Sequence, residues 1–472
     1  MNVTLRCKRH ECFNTIRYQT LNYNPCSSPS ISSKTRRLIL TRIKGIHVPH
    51  CKNTASCIPT PIATPTEVRL PMKMHSGAPA MPVVAVGDQV KIGQLIGAAA
   101  QGKVSSPVHA SIAGKVKSID PLHPVTGERD TSIVIVADQE QSFSQELTPP
   151  VVTNTQEFLD AVANSGVVGL GGAGYPTAPK LTLREGVNLD YILINGAECE
   201  PYITSDTRAM VDYTEDVFEG CVLMKKYIQP KEIIICIEDN KPEAISKLQE
   251  LSQNTEGISV HVLPSSYPQG ERKVLVYNVT GRIVPEGARL PDVGCIVVNC
   301  TTVAVFAQYI KTGAPLTHRV VTVDGSAVKK PQNVIAPIGT PIKYIFEHCG
   351  GLTDDAQKII MGGPMMGLAV PSTEMPLLKY HNALLAFNEK DSRPPVETPC
   401  IKCGRCIEKC PMDLMPSHIE DAFERKNIPM LTKLKVGMCV ECGCCAYLCP
   451  AKRPLAQAIK LASNMEWEAR RK

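Results

Sequence analysis

The chain has 472 residues and a formal net charge of +6, with 20 cysteines, 43% hydrophobic residues and only 5% aromatics. Nine Lys and Arg face one acid, Glu11, in the first 44 residues, so the remainder is close to neutral and carries no broad basic surface for nucleic acid. The length allows about three domains, and the many cysteines without a recognisable secretory signal point to a reducing compartment, where clustered thiols hold metal more often than disulfides.

Residues 1–43 read as a basic extension without a core of its own. Arg36 and Arg37 are followed by only Leu38, Ile39 and Leu40 before Arg42 and Lys44, too short an apolar stretch for an export signal. His47, His50, Cys51 and Cys57 form a small His/Cys group without an established ligand spacing. Short β-type stretches around VGDQVKIGQLI and SPVHASIAGKV, within residues 82–119, resemble the lipoyl/biotinyl barrel-sandwich hybrid. Met72-Lys73-Met74 resembles a biotinylated-lysine motif, yet it precedes VGDQV where a carrier lysine follows it. Lys73 therefore reads as a surface residue and the domain as a scaffold.

Residues 166–180, GVVGLGGAGYPTAPK, contain the G-x-G-x-x-G spacing of a dinucleotide-binding turn at Gly169, Gly171 and Gly174. Such a turn needs a strand before it and a helix directly after it. Here Phe158, Leu159, Val162 and Ala163 recur at helical spacing upstream, and Pro176 and Pro179 oppose a regular helix downstream. The loop is expected to be a glycine-rich nest for some other phosphate.

Three further polar loops follow apolar strands: NGAECEP after Tyr191–Ile194, YPQGERK after ISVHVL, and VVNCTT at the end of a third. Strand ends are where α/β folds bind ligands. The stretch GCIVVNCTTVAVFAQYI reads as strand then helix, and no apolar run reaches the roughly 18 residues that span a bilayer. THRVVTVDGSAV alternates as a strand turning at Gly325, and PIGTPIKYIFEHCGGL predicts a helix capped at Thr340, with Pro341 first inside and Gly350 past its end. KIIMGGPMMG predicts another strand, with Met365 and Met366 as core filler.

CIKCGRCIEKCP and CVECGCCAYLCP repeat the C-x2-C-x2-C-x3-C-P run. Three closely spaced thiolates reach three corners of a cubane, and the fourth cysteine of each run ligates the other cluster. The spacing assigns Cys400, Cys403, Cys406 and Cys449 to one [4Fe-4S] cluster, and Cys439, Cys442, Cys445 and Cys410 to a second. Cys444 falls outside the pattern. Zinc is the competing reading, but this spacing suits a tetrahedral site poorly. SHIEDAFERK, between the runs, predicts a helix with Ile419, Ala422 and Phe423 inward.

The loop series GLGGAGYPTAPK, NGAECEP, QGERKVL and VVNCTTVA resembles the flavin-bearing, NADH-oxidising subunit of respiratory complex I. The resemblance implies FMN cradled by Gly169, Gly171, Gly172, Ala173 and Gly174, with Pro176 and Lys180 also matching and Lys180 supplying a fixed cation. It assigns Asn195 to flavin and Glu198 and Glu200 to the nucleotide of NAD(H), and it matches Gly270, Glu271 and Asn299 in the later loops. Arg272 replaces an acid of that family and Tyr175 a Phe, so NADH geometry is less defined than flavin binding.

From about residue 44 onward the chain is similar to the C subunit of the Rnf complex, a membrane-bound ferredoxin:NAD oxidoreductase. KGIHVPH, LPMKMHSGAPAMPVVAVGDQV, LINGAECEPYITSDTRAM and CVECGCCAYLCPAKRPLAQAIKLA join the glycine and first cysteine motifs in carrying this likeness. It implies a multidomain α/β and α+β chain: a barrel-sandwich hybrid over 44–145, an FMN/NADH domain over 150–314, a β-grasp SLBB domain over 315–372 and a ferredoxin-like two-cluster domain over 390–462. The implied partners are integral membrane and peripheral Rnf subunits, with ferredoxin reached indirectly. The implied place is the cytoplasmic face of the membrane, held peripherally. A soluble flavin-dependent cobalamin reductase, or a ferredoxin-like adaptor with an empty flavin domain, are the competing readings. Co-purification with integral membrane subunits would separate the first from the Rnf reading, and absence of yellow flavin from protein with intact clusters would favour the second.

Overall fold

The computed structural model describes residues 45–122 and 130–471. The expectation of a disordered extension over 1–43 lies outside the described residues.

Two small antiparallel sheets form the barrel-sandwich hybrid. One runs in the order Glu67–Pro71, Asp130–Ala137, Gly114–Leu122, Gln89–Val90, and the other Met81–Pro82, Leu95–Ala98, Val108–His109. Val68, Leu70, Met72, Met74, Ile96, Ile133 and Ile135 fill the space between them. Met72 and Met74 are thus core residues, while Lys73 between them is half-buried with its backbone N–H on Asp130.

The central domain begins with helix α1 (Thr155–Asn164), capped by Asn154, whose side chain accepts from the Glu157 N–H at 2.9 Å. Phe158 faces inward, stacking on Tyr227 and meeting Phe306 edge-on. A one-turn helix, α2 (Thr177–Leu181), follows the glycine loop. The prolines do not prevent it as expected: Pro179 occupies its third position, where a helix has no partner for the N–H in any case.

Then come β1 (Tyr191–Gly196), α3 (Ser205–Asp212), α4 (Thr214–Tyr227), β2 (Glu232–Glu238), α5 (Pro242–Ser252), β3 (Ile258–Leu263), α6 (Arg272–Thr280), β4 (Cys295–Asn299) and α7 (Cys300–Thr312). All four strands are parallel in the order β3-β2-β1-β4. Layers cover both faces, which is why YILI, IIICI and CIVV are continuous apolar runs. The chain steps outward from β1 to β2 and β3, then returns to the other side of β1. The crevice beyond the carboxyl ends of β1 and β4 is therefore the switch point at which such sheets bind ligands.

The next sheet has six strands, in the order Thr60–Pro61, Gln332–Pro337, His318–Asp324, Ala383–Asn388, Ala356–Met361, Leu368–Ala369. It packs helix Ile342–His348 and draws strands from outside 315–372 at both ends of the sequence. Pro341, not Thr340, sits at the N-cap; the Thr340 hydroxyl instead turns back onto Pro337 O.

Residues 46–62 strap these parts together. Ile46 bridges Tyr267, and Asn333 donates to the carbonyls of Thr54 and Cys57. In the C-terminal part, helix Pro416–Glu424 packs Ile419 and Ala422 on Ile459 and Ala462 of helix Leu455–Arg471, with Phe423 half-buried beside them. Among the described residues no helix is long and apolar enough to cross a membrane.

Candidate functional site

The glycine loop is a closed hairpin placed over the switch point. Val168 and Pro176 bridge, the Gly169 N–H donates to Tyr175 O at 2.8 Å, and the Gly174 N–H donates to Gly169 O at 3.1 Å. The Thr302 hydroxyl accepts from Leu170 N–H, and the Arg319 guanidinium donates to Leu170 O, which seats the hairpin on the start of α7. A Cβ on Gly171 would stand 3.0 Å from Asn299, and one on Gly174, at φ +62°, would strike the Tyr380 ring at 2.8 Å. Gly174 therefore demands glycine, whereas a side chain at Gly171 would have to push the Asn299 amide aside by a few tenths of an ångström. Gly172 and Ala173 form the exposed tip, and a Cβ on Gly172 would meet nothing within 4 Å.

Lys180 closes α2. Burial, and then the Arg272 guanidinium, lower its pKa to about 8. Lys180 makes no hydrogen bond or ion pair among the described residues, and Arg272 reaches only its neighbour Glu271, at 4.0 Å. The Thr177 hydroxyl, on the same turn, is buried without a partner. Adjacent cations and an orphaned hydroxyl beside open glycine backbone suit the phosphate of a bound cofactor.

Asn195, at the end of β1, joins two loops: its amide donates to Gly270 O at 2.9 Å and its oxygen accepts from Ala197 N–H. Glu271 caps α6 by accepting from the N–H groups of Lys273 and Val274. Asn299 caps α7 and donates to Asp206, which also takes the Thr301 hydroxyl. Burial first, and then Glu198, raise the Asp206 carboxyl to about 6.

Glu198 and Glu200 both make contacts within the chain. Glu198 accepts from Asp206 N–H and from the Thr207 N–H and hydroxyl, at the start of α3, and lies 3.9 Å from Lys52. Glu200 accepts from the N–H groups of Met365 and Met366 at 3.0 and 2.9 Å, and burial raises its pKa to about 7. Both are also held by the chain itself, which fixes where their oxygens point. Met366 is half exposed, not core filler; what the GGPMMG turn contributes is its backbone.

Sequence reasoning missed Lys52 and Tyr267. Lys52 donates to the carbonyls of Glu198, Glu200 and Ile203, tying the NGAECEP loop shut. Nothing in its local sequence marks it, since its partners lie about 150 residues away. Tyr267 lies within YPQGERK, the loop already singled out. The buried Tyr267 ring reaches the second cysteine run: its hydroxyl donates to Cys442 O at 2.7 Å, and the Cys444 thiol turns toward Tyr267 O. Ile46, Val48, Cys199 and Met365 complete an apolar seal around this junction.

Cys400, Cys403, Cys406 and Cys449 line one cavity. Cys410, Cys439, Cys442 and Cys445 gather separately: burial and then the charges of Cys439, Cys442 and Cys410 raise the Cys445 pKa, and burial foremost pushes Cys439 up to about 12. Thiols crowded in this way become thiolates together only beside a shared polycation. Among the described residues no three His, Cys, Asp or Glu converge on a single ion. A cubane spreads its thiolates over four irons, so the wider grouping suits it. His47, His50, Cys51 and Cys57 belong to the strap, where His50 meets Asn240 and its carbonyl accepts from Tyr202 N–H.

Three family models match the chain: the RnfC barrel sandwich hybrid domain over 40–140, the Nuo51 FMN-binding domain over 162–308 and the SLBB domain over 320–369. The C subunit of the Na(+)-translocating ferredoxin:NAD(+) oxidoreductase complex of Acetobacterium woodii is 37% identical over 91% of this chain and 97% of its own. The chain belongs to the RnfC family. Other members are the C subunits of the proton-translocating complex of Clostridium ljungdahlii, 38% identical over 79% of this chain and 82% of its own, and of the ion-translocating oxidoreductase complex of Rhodobacter capsulatus, 35% identical over 92% and 85%. In this RnfC-family chain, the FMN-binding match spans the glycine hairpin, the NGAECEP loop and β4, the elements that meet at the switch point.

Proposed function

We propose that this chain is the peripheral electron-transfer subunit of an Rnf-type complex, exchanging electrons between NAD(H) and two [4Fe-4S] clusters by way of FMN. Its partners are integral membrane and peripheral subunits of the complex, ferredoxin is reached indirectly through them, and ion movement belongs to the membrane subunits. The observation that carries the reading is the junction at Tyr267, which sets a cubane-spaced cysteine loop directly against the fold that carries the glycine hairpin. When bound, FMN supplies two-electron exchange with a nicotinamide and one-electron exchange onward, and the cubanes supply one-electron carriage.

The chain's own residues hold and order these groups. The hairpin at Gly169–Gly174 offers close backbone approach, while Lys180 and Arg272 offset phosphate charge. Asn195 and Asn299 fix the loops that wall the crevice. Glu198, Glu200 and Lys52 act as positioning residues that keep the NGAECEP loop closed against α3 and the GGPMMG turn. Cys439, Cys442, Cys445 and Cys410 would hold the inner cluster, sealed by Tyr267, Ile46 and Met365. Cys400, Cys403, Cys406 and Cys449 would hold the outer one, at the surface.

The test is anaerobic purification followed by NADH titration, with flavin absorbance and reduced-cluster EPR followed together. Bleaching of flavin and appearance of cluster signals support the reading. Flavin that stays oxidised under NADH, while dithionite reduces the clusters, removes the NAD-linked assignment.

A further inference from the structure

Residues 72–74 of the barrel, the stretch that resembles a carrier-lysine motif, lead directly into a contact with the glycine hairpin. Met72 and Met74 are buried in the barrel core, and the chain then turns outward through His75 and Ser76. The turn is tightly built. Gly77 sits at φ +111°, where a Cβ would fall 2.2 Å from Val104 O, and the His75 ring lies 2.8 Å from Ala78 O and 3.2 Å from Ser106 N. It presents Ser76, an exposed residue whose N–H donates to Gly174 O at 2.9 Å and whose hydroxyl donates to Ala173 O at 3.3 Å.

The rest of the hairpin is gripped in the same way, by its carbonyls and from other parts of the chain. Buried Lys379 donates to Gly166 O at the hairpin root, at 2.7 Å, and to Pro107 O of the barrel, and the Ser106 hydroxyl joins it on Gly166 O at 3.2 Å. Arg319 takes Leu170 O, and the Tyr380 ring packs on Gly174. The peptide units joining Leu170 to Gly171 and Ala173 to Gly174 are therefore fixed on either side of the tip. Between them, the N–H groups of Gly171, Gly172 and Ala173 have no acceptor among the described residues. A glycine peptide flips at little steric cost, and a flip would offer an anion a carbonyl oxygen in place of an N–H. Pinned carbonyls oppose that flip and leave the N–H groups to a ligand.

We propose that the barrel-sandwich domain is a clasp on the flavin loop. Ser76 at the tip, with Lys379 and Tyr380 behind it, are positioning residues that hold the hairpin in the form whose N–H groups at Gly171, Gly172 and Ala173 receive the phosphate of FMN. A barrel in which Lys73 is not a carrier lysine thus has a role in cofactor retention: it orders the tip before the anion arrives, so less freedom is lost on binding. The inference rests on the reading that FMN binds at this hairpin.

The experiment uses the full chain, purified anaerobically, stripped of flavin and titrated with FMN and, separately, with riboflavin, which lacks the phosphate. Flavin fluorescence quenching gives both Kd values, and EPR of the dithionite-reduced clusters reports on the fold. Ser76→Pro removes both donors at an exposed position, and Ser76→Ala removes the hydroxyl alone. Expected are a Kd for FMN raised about tenfold by Ser76→Pro and about threefold by Ser76→Ala, with the Kd for riboflavin and the cluster signals unchanged. Should Ser76→Pro disturb the cluster signals, Ser76→Ala decides by the same split between the two flavins. Equal weakening of both flavins means that the crevice as a whole has loosened, and it overturns the proposal. A parent chain that binds no FMN overturns the functional reading and this proposal with it, whereas a parent that binds FMN and variants that bind it equally well overturn the proposal alone.

Discussion

The Tyr267 hydroxyl donates to the carbonyl oxygen of Cys442 at 2.7 Å, across 175 residues of sequence, and both groups are buried. Tyr267→Phe keeps the ring in the seal and leaves that carbonyl without its donor, a loss of about 1–3 kcal/mol in a buried setting. The inner cysteine loop should loosen while the outer is untouched. Timed chelation of the reduced chain should show one of two cluster EPR signals fading several-fold faster than in the unmodified protein. Equal fading of both signals would mean that the hydrogen bond does not hold the inner loop.

Lys180 carries a prediction in pH. Burial and Arg272 lower its pKa to about 8 before any anion is present. A phosphate beside it favours the charged form, so the bound state has the higher pKa and binding takes up a proton as pH rises past 8. Affinity of the flavin-free chain for FMN should be full below about pH 7.5 and fall as pH climbs from 8 toward the raised pKa, by up to about tenfold per unit. Flavin fluorescence quenching between pH 6.5 and 9.5 measures this. Lys180→Gln should bind more weakly and with a flat profile over that window; a variant that keeps the slope assigns the titration to another group.

Glu200 is shifted in the opposite direction. Its folded pKa is raised to about 7, chiefly by burial against the GGPMMG turn, above an unfolded value near 4.3. Between those values the folded chain retains a proton that the unfolded chain has released, so stability declines as pH rises from about 4.5 to 7 and levels off above. Glu200→Gln should remove on the order of 2 kcal/mol of that decline. Buried Asp206 and Asp324, each raised to about 6, leave the rest in place. Thermal midpoints at pH 5 and 7.5, compared between variant and parent, give the answer; an unchanged difference assigns the decline to other buried carboxyls such as these aspartates, Glu238 and Glu271.

The sequence made the strands visible because a parallel sheet covered on both faces leaves unbroken apolar runs, as in YILI and CIVV, and it made the cysteine sets visible because spacing alone limits which thiols share a cubane. Site chemistry was less legible. Glu198 and Glu200 look like free loop acids in a linear reading, yet their partners are the start of α3 and backbone at Met365 and Met366. Lys52 was invisible for the same reason: three carbonyls that it satisfies come from a loop brought beside it only by the fold. Local pattern reports which face of an element is buried. It does not report which distant backbone group a polar side chain will meet.

The cysteine assignment makes the sharpest remaining prediction, because it exchanges the fourth ligand between runs. Cys449 lines the cavity of Cys400, Cys403 and Cys406, while Cys410 lies with Cys439, Cys442 and Cys445. Cys449→Ser should therefore abolish the outer, solvent-facing cluster and leave the inner one reducible, although Cys449 belongs to the second run. Cys410→Ser should do the reverse, and Cys444→Ser should keep about eight irons per chain, since Cys444 falls outside the repeated spacing, although its thiol touches Cys442 as well as Tyr267. EPR of each variant, with a slow-relaxing paramagnet in the buffer to broaden the exposed signal first, identifies which cluster is lost. Loss of the inner signal in Cys449→Ser would show that each run ligates its own cluster, and the exchanged assignment would fall.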